Sequence, residues 1–86
     1  MNMPYDVILT SEAEDFLRRC DNSIRRRIEN KLLLLEKDPE LGKPLTAILR
    51  GLRSLRIGDY RVIYQIKESE LIVLVIKIGH RRNVYV

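Results

Sequence analysis

The residues best placed to do chemistry begin at Leu55-Arg56-Ile57-Gly58-Asp59-Tyr60-Arg61-Val62-Ile63-Tyr64. Two β-forming runs meet there at Gly58-Asp59, a dipeptide suited to a two-residue hairpin turn. With that turn, Ile57 lies opposite Tyr60 and Arg56 opposite Arg61. Side chains alternate between faces, so Leu55, Ile57, Tyr60 and Val62 share one side and the two arginines share the other. Like charges directly across a strand pair repel. The arginines either hold an anion such as phosphate or sit solvated on the wet face of the hairpin. A second cluster follows in Ile78-Gly79-His80-Arg81-Arg82-Asn83-Val84-Tyr85-Val86, which packs the only histidine, two arginines and a tyrosine into six residues. A histidine can act as acid or base near neutral pH, and a tyrosine can stack on a base. The tail is either a second wall of the same anion site or a frayed basic chain end.

The surrounding elements must bring these clusters together. Tyr5 to Leu9 reads as a short strand. Thr10 or Ser11 caps a helix, with Ser11-Glu12-Ala13-Glu14 fitting a capping box. Ala13, Phe16, Leu17 and Cys20 give that helix one apolar stripe. A second helix spans Ser23 to Lys37, with Ile24, Ile28, Leu32 and Leu35 as its buried stripe. Arg25, Arg26, Arg27 and Lys31 lie elsewhere around it. A solvated face is the simpler reading of that charge, and an RNA-binding face the alternative. Residues 38 to 51 form an irregular connection with room for a turn of helix. Strands follow at Leu52 to Ile57, Tyr60 to Lys67 and Leu71 to Ile78, the last apolar on both faces and therefore central.

The predicted class is α+β: an N-terminal strand, a two-helix hairpin, then a three-stranded antiparallel meander, with both helices on one face of the sheet. The other face carries Arg56 and Arg61 together with Ile63, an arginine–aliphatic mixture that reads as a surface meant to be covered. A two-residue turn at Glu68-Ser69 would add Ile76 and Ile78 to the arginine face. A three-residue turn would add Lys77 instead. Gly79 permits a kink or bulge near the end of the last strand.

Composition narrows the function. The 86 residues read as one domain, 1–86, with 45% hydrophobic and 33% charged residues. Sixteen Lys and Arg against twelve Asp and Glu give +4, a mild bias toward polyanionic partners. The N-terminus shows no signal-peptide pattern, and the longest apolar run is too short to span a bilayer, so a cytoplasmic protein is expected. One His and one Cys do not build a typical transition-metal site. No phosphate-binding glycine loop and no serine triad is recognisable. What remains is cofactor-free chemistry on a phosphate. RNA brings its own nucleophile, the 2′-OH. A protein need only bend the backbone into line, stabilise the added negative charge with arginines, and move two protons.

The blocks Leu49-Arg50-Gly51, Gly58-Asp59-Tyr60-Arg61-Val62-Ile63-Tyr64 and Gly79-His80-Arg81-Arg82-Asn83-Val84-Tyr85 resemble the RelE/ParE toxin superfamily along nearly the whole chain. The closing block leans toward the RelE branch, whose members cut mRNA in the ribosomal A site, whereas the ParE branch poisons DNA gyrase. The resemblance implies that Arg61 contacts the scissile phosphate, that Arg81 stabilises the transition state or leaving group, and that Tyr85 orients the mRNA. Arg56 matches a basic position on the second strand. Family members carry lysines on that strand, one of them a proposed general base; here those positions are Ser54 and Leu52, with Arg53 one residue out of phase. His80, then Lys77 or a polarised water, are the candidates for the base. Arg53, Ser54 and Lys77 join Arg56 as expected substrate-binding residues. The family also implies a RelB-like antitoxin as partner, commonly in a heterotetramer, with ribosome and mRNA as targets and no direct DNA contact by the toxin.

Overall fold

The computed structural model describes residues 4–84. Strand β1 (Asp6–Leu9) leads into helix α1 (Ser11–Arg19) and helix α2 (Asn22–Lys37). Two short 3₁₀ turns, Pro39–Leu41 and Ala47–Leu49, flank a two-residue strand β2 (Lys43–Pro44). Strands β3 (Arg53–Ile57), β4 (Tyr60–Lys67) and β5 (Ile72–His80) complete a five-stranded sheet ordered β1-β5-β4-β3-β2. Only β1 and β5 pair in parallel. This is the expected α+β class with β5 central. The addition is β2, too short and too close to Pro44 to show a strand pattern.

Both helices start on side-chain caps. The Asp21 carboxylate accepts the Ile24 N–H at 3.1 Å, and that bond holds its pKa below the usual carboxylate range. Thr10, rather than Ser11, caps α1: its hydroxyl accepts the Ala13 N–H at 3.2 Å. No capping box on Ser11 forms, because the helix begins one residue earlier than that pattern requires. Ala13 and Leu17 of α1 and Ile28, Leu32 and Leu35 of α2 pack on one face of the sheet, against Leu55, Ile57, Val62, Tyr64, Val73, Val75 and Ile78.

The hairpin register is the expected one, with Ile57 opposite Tyr60 and Arg56 opposite Arg61. Two unit charges about 5 Å apart repel by roughly 1 kcal/mol in water. Burying one aliphatic side chain returns about 2 kcal/mol. The apolar face therefore sets the register and the arginine pair is carried along.

The β4–β5 register settles which side chains join that pair. Lys67 pairs with Ile72, leaving four residues in the turn. That even number alone would put Ile76 and Ile78 beside Arg61. The ladder then slips between Ile63 and Tyr64, which pair with Lys77 and Val75 and leave Ile76 as a bulge. The slip reverses the parity, so Lys77 and Gly79 lie on the Arg61 face and Ile78 turns into the core. The Thr10 hydroxyl donates to the bulged Ile76 carbonyl at 2.8 Å and so satisfies a group that the ladder leaves unpaired.

Candidate anion-binding site

Arg56 and Arg61 project from the face of the sheet away from the helices. Arg61 is half-buried, and its Nη1 donates to the Ser54 hydroxyl at 3.2 Å. Ser54 is 5% exposed and pairs with Ile63, diagonal to Arg61. The buried serine thus fixes one terminal nitrogen of the guanidinium while leaving its other N–H groups available. Arg56 is exposed, and its Nε donates to the Gly58 carbonyl at 3.1 Å. Neither arginine joins an ion pair among the described residues. Two side-by-side cations, neither paired with a carboxylate among the described residues, have the charge to attract an anion.

Ile63 corrects the expected picture of this face. It is 5% exposed rather than open. Val84, 2% exposed, folds back so that its Cβ lies 3.6 Å from where a Gly79 Cβ would stand. Gly79 is directly opposite Arg61. The glycine does not kink the strand, which stays in register through His80, and the returning Val84 packs over it. The tail is anchored rather than frayed through Val84: the Arg81 N–H donates to the Asp59 carbonyl at 2.8 Å, and the Asn83 and Val84 amides return to the His80 carbonyl. Arg81 thereby starts beside the β3–β4 turn, two positions from Gly79, with its side chain exposed and without an ion pair among the described residues. Tyr85 lies outside the described residues.

The remaining expected site residues divide. Lys77 shares the arginine face through its pairing with Ile63, and its Nζ lies 3.9 Å from a Glu12 carboxylate oxygen at the start of α1. Arg53 and His80 do not share that face. Arg53 alternates onto the helix side, where its guanidinium donates to the Gly42 carbonyl at 2.6 Å and the Glu40 carbonyl at 3.3 Å, and pairs with the Glu40 carboxylate at 3.6 Å. It ties the 39–44 connection to the sheet. His80 pairs with Tyr60, also on the helix side, and the two rings meet edge-on with centroids 5.9 Å apart. Tyr60 in turn meets Phe16 of α1 at 6.0 Å. The imidazole is a packing partner at the end of the central strand β5, separated from Arg61 by the sheet.

Other chemistry-bearing groups are structural. Cys20 is half-buried, and burial pushes its thiol up, away from thiolate reactivity. No group of three or more His, Cys, Asp or Glu suited to a metal ion occurs among the described residues. No helix among them is long and apolar enough to cross a membrane. A concavity of about 1120 Å³ lies between β1, α1 and α2, and none of the arginine-face residues lines it.

Residues 7–85 match the family model described as the ParE toxin of the type II toxin–antitoxin system parDE. The chain is 38% identical over 84 residues to Toxin RelE of Mycobacterium tuberculosis, covering 95% of this chain and 87% of the relative. It is 33% identical over 85 residues to Toxin RelG of the same organism, covering 96% and 98%. Its fold superposes on a chain of the toxin–antitoxin complex RelBE2 of M. tuberculosis with a TM-score of 0.84 at 31% identity, covering 91% of this chain and 99% of that one. The chain belongs to the RelE/ParE superfamily of type II toxin–antitoxin toxins, in its RelE branch.

Proposed function

We propose that this toxin is a ribosome-dependent mRNA endoribonuclease that stops translation by cutting mRNA in the ribosomal A site. The observation that carries this reading is the Arg56–Arg61 pair, with the Arg61 guanidinium oriented by buried Ser54 and free of any ion pair among the described residues. The substrate 2′-OH attacks the adjacent phosphorus, and the bond to the 5′-oxygen of the next nucleotide breaks. Arg61 and Arg56 neutralise the non-bridging oxygens as negative charge builds on them, and Arg81 stabilises the departing oxygen. Each such preorganised donor is worth about 3 kcal/mol in the barrier. His80 faces the helices, so the base reading passes to Lys77 or to a water polarised by the arginines. The ribosome supplies the remaining alignment of the mRNA. Action on ribosomes places the protein in the cytoplasm.

The RelBE2 likeness, a complex of toxin with antitoxin, supports a RelB-like antitoxin as the partner that masks this face. The family model's ParE description favours a second reading, gyrase inhibition without catalysis. The two separate cleanly in cells depleted of antitoxin. The endonuclease predicts codon-spaced mRNA cuts with intact DNA, abolished by Arg61→Ala. Double-strand DNA breaks with intact mRNA would select the gyrase reading.

A further inference from the structure

The basic surface does not end at the rim of the sheet. The β3–β4 turn is crossed by a guanidinium from the helix layer: Arg27 of α2 places Nη2 2.6 Å from the position a Gly58 Cβ would take. Gly58 is favoured by its φ of +59°, and the flexible far end of the Arg27 side chain lies over it. From the other side, Arg56 Nε donates to the carbonyl of that same Gly58. Arg27 and Arg56 thus converge on one residue from two layers, and Arg61 stands directly across the strand pair from Arg56. Lys31 follows Arg27 by one helical turn on the same flank of α2. Arg27 and Lys31 are exposed and join no ion pair among the described residues. Asp59 supplies the carboxylate at the turn and is likewise outside any ion pair there, while its carbonyl holds the Arg81 amide.

We propose that Arg61, Arg56, Arg27 and Lys31 form one continuous track for RNA phosphates, running from the reactive face over the hairpin tip and onto α2. This rests on the reading of the arginine face as an RNA site. The track's composition favours RNA over a protein partner. Protein interfaces are centred on apolar or aromatic anchors. Among the described residues the exposed large aliphatics are Ile8, Leu33, Leu34, Leu41 and Ile48; Leu34 continues the Arg27–Lys31 flank by one further turn, and none stands between Arg61, Arg56 and Arg27. A row of cations without an apolar centre is the signature of backbone contact.

The test is the salt dependence of binding at fixed magnesium, measured with two probes: a fluorescein-labelled single-stranded RNA, and purified ribosomes lacking mRNA. Arg27→Gln, Arg27→Lys, the Arg27→Gln/Lys31→Gln pair and Arg61→Ala are compared with the parent chain, with matched circular dichroism as the folding control. Arg27→Gln should flatten the slope of log K against log salt by about 0.7 to 0.9, the loss of one phosphate contact. The pair should flatten it about twice as far, and Arg27→Lys should restore it. An effect with the free RNA assigns the track to mRNA; an effect only with ribosomes assigns it to ribosomal RNA. A slope changed by Arg61→Ala but by neither α2 variant overturns the track and leaves the RNA site standing. Binding of the parent chain to neither probe overturns both. Loss of binding to polyglutamate with RNA binding unchanged would show that Arg27 serves an acidic protein instead.

Discussion

At Arg61 a buried hydroxyl does for a guanidinium what an acidic partner would do elsewhere, without cancelling its charge. Ser54 accepts one N–H and leaves the cation whole. Replacing Arg61 by Ala is expected to slow single-turnover mRNA cleavage about 100- to 1000-fold, as for loss of one transition-state donor, with thermal stability unchanged. Ser54→Ala should slow it about tenfold, the worth of one hydrogen bond to a charged group. Arg61 remains present in that variant but loses its orientation, so the turnover rate should fall more than the binding constant. His80→Gln should leave the pH dependence of cleavage unchanged, because the imidazole packs on Tyr60 across the sheet from Arg61. A pH profile that loses its acidic limb in His80→Gln would return the histidine to the chemistry. The arginine pair was legible in the sequence because a two-residue turn leaves no freedom in register. His80 was not, because its role depended on strand parity past a glycine, and that parity is decided elsewhere.

The element that decides it is the bulge at Ile76, and its partner is Thr10, 66 positions away in the chain. No local pattern in β5 announces the bulge, since Ile, Val and Lys there fit either parity. Thr10→Val removes both the α1 cap and the donor to the Ile76 carbonyl. It should cost about 1–2 kcal/mol in stability and speed hydrogen exchange selectively in residues 75 to 78. A second tie holds the long connection. The Tyr64 hydroxyl donates to the Pro39 carbonyl at 2.6 Å and accepts the buried Gly42 N–H at 2.8 Å. Tyr64→Phe leaves that N–H unsatisfied and should cost about 1–3 kcal/mol by denaturant unfolding. Burial pushes the Tyr64 phenol up, outweighing the Gly42 N–H that favours the phenolate. The folded state therefore holds the proton more tightly than the unfolded chain. Its contribution is complete below the unfolded phenol's value of about 10 and is lost as pH rises through the higher folded value. Stability should accordingly fall less steeply above pH 10 in Tyr64→Phe than in the parent chain. The helices, three long strands and hairpin were readable from periodicity and turn residues. The two-residue β2 was not, because its placement rests on Arg53 and Tyr64 reaching into the connection.

Across the whole molecule, the sheet separates two tasks. One face binds the helices and carries the stability; the other carries Arg56, Arg61 and Lys77 over a small buried patch of Ser54, Ile63 and Val84. The patch explains how a face rich in like charge stays ordered: the tail folds over Gly79 and fastens to Asp59. That return of the chain was unreadable in the sequence, where the basic terminus read equally as a second wall of the anion site or a frayed end, and the glycine as a kink or a bulge. The division of labour means that substitutions on the arginine face should change activity with little effect on folding. The central claim, that this face cuts mRNA on the ribosome, is tested most directly by primer extension on a defined mRNA in a cell-free translation system, with and without the purified toxin. The account predicts discrete cuts within codons that appear only when ribosomes translate and disappear with Arg61→Ala. Intact mRNA in the presence of folded, antitoxin-free protein, or cuts that persist with Arg61→Ala, would contradict it.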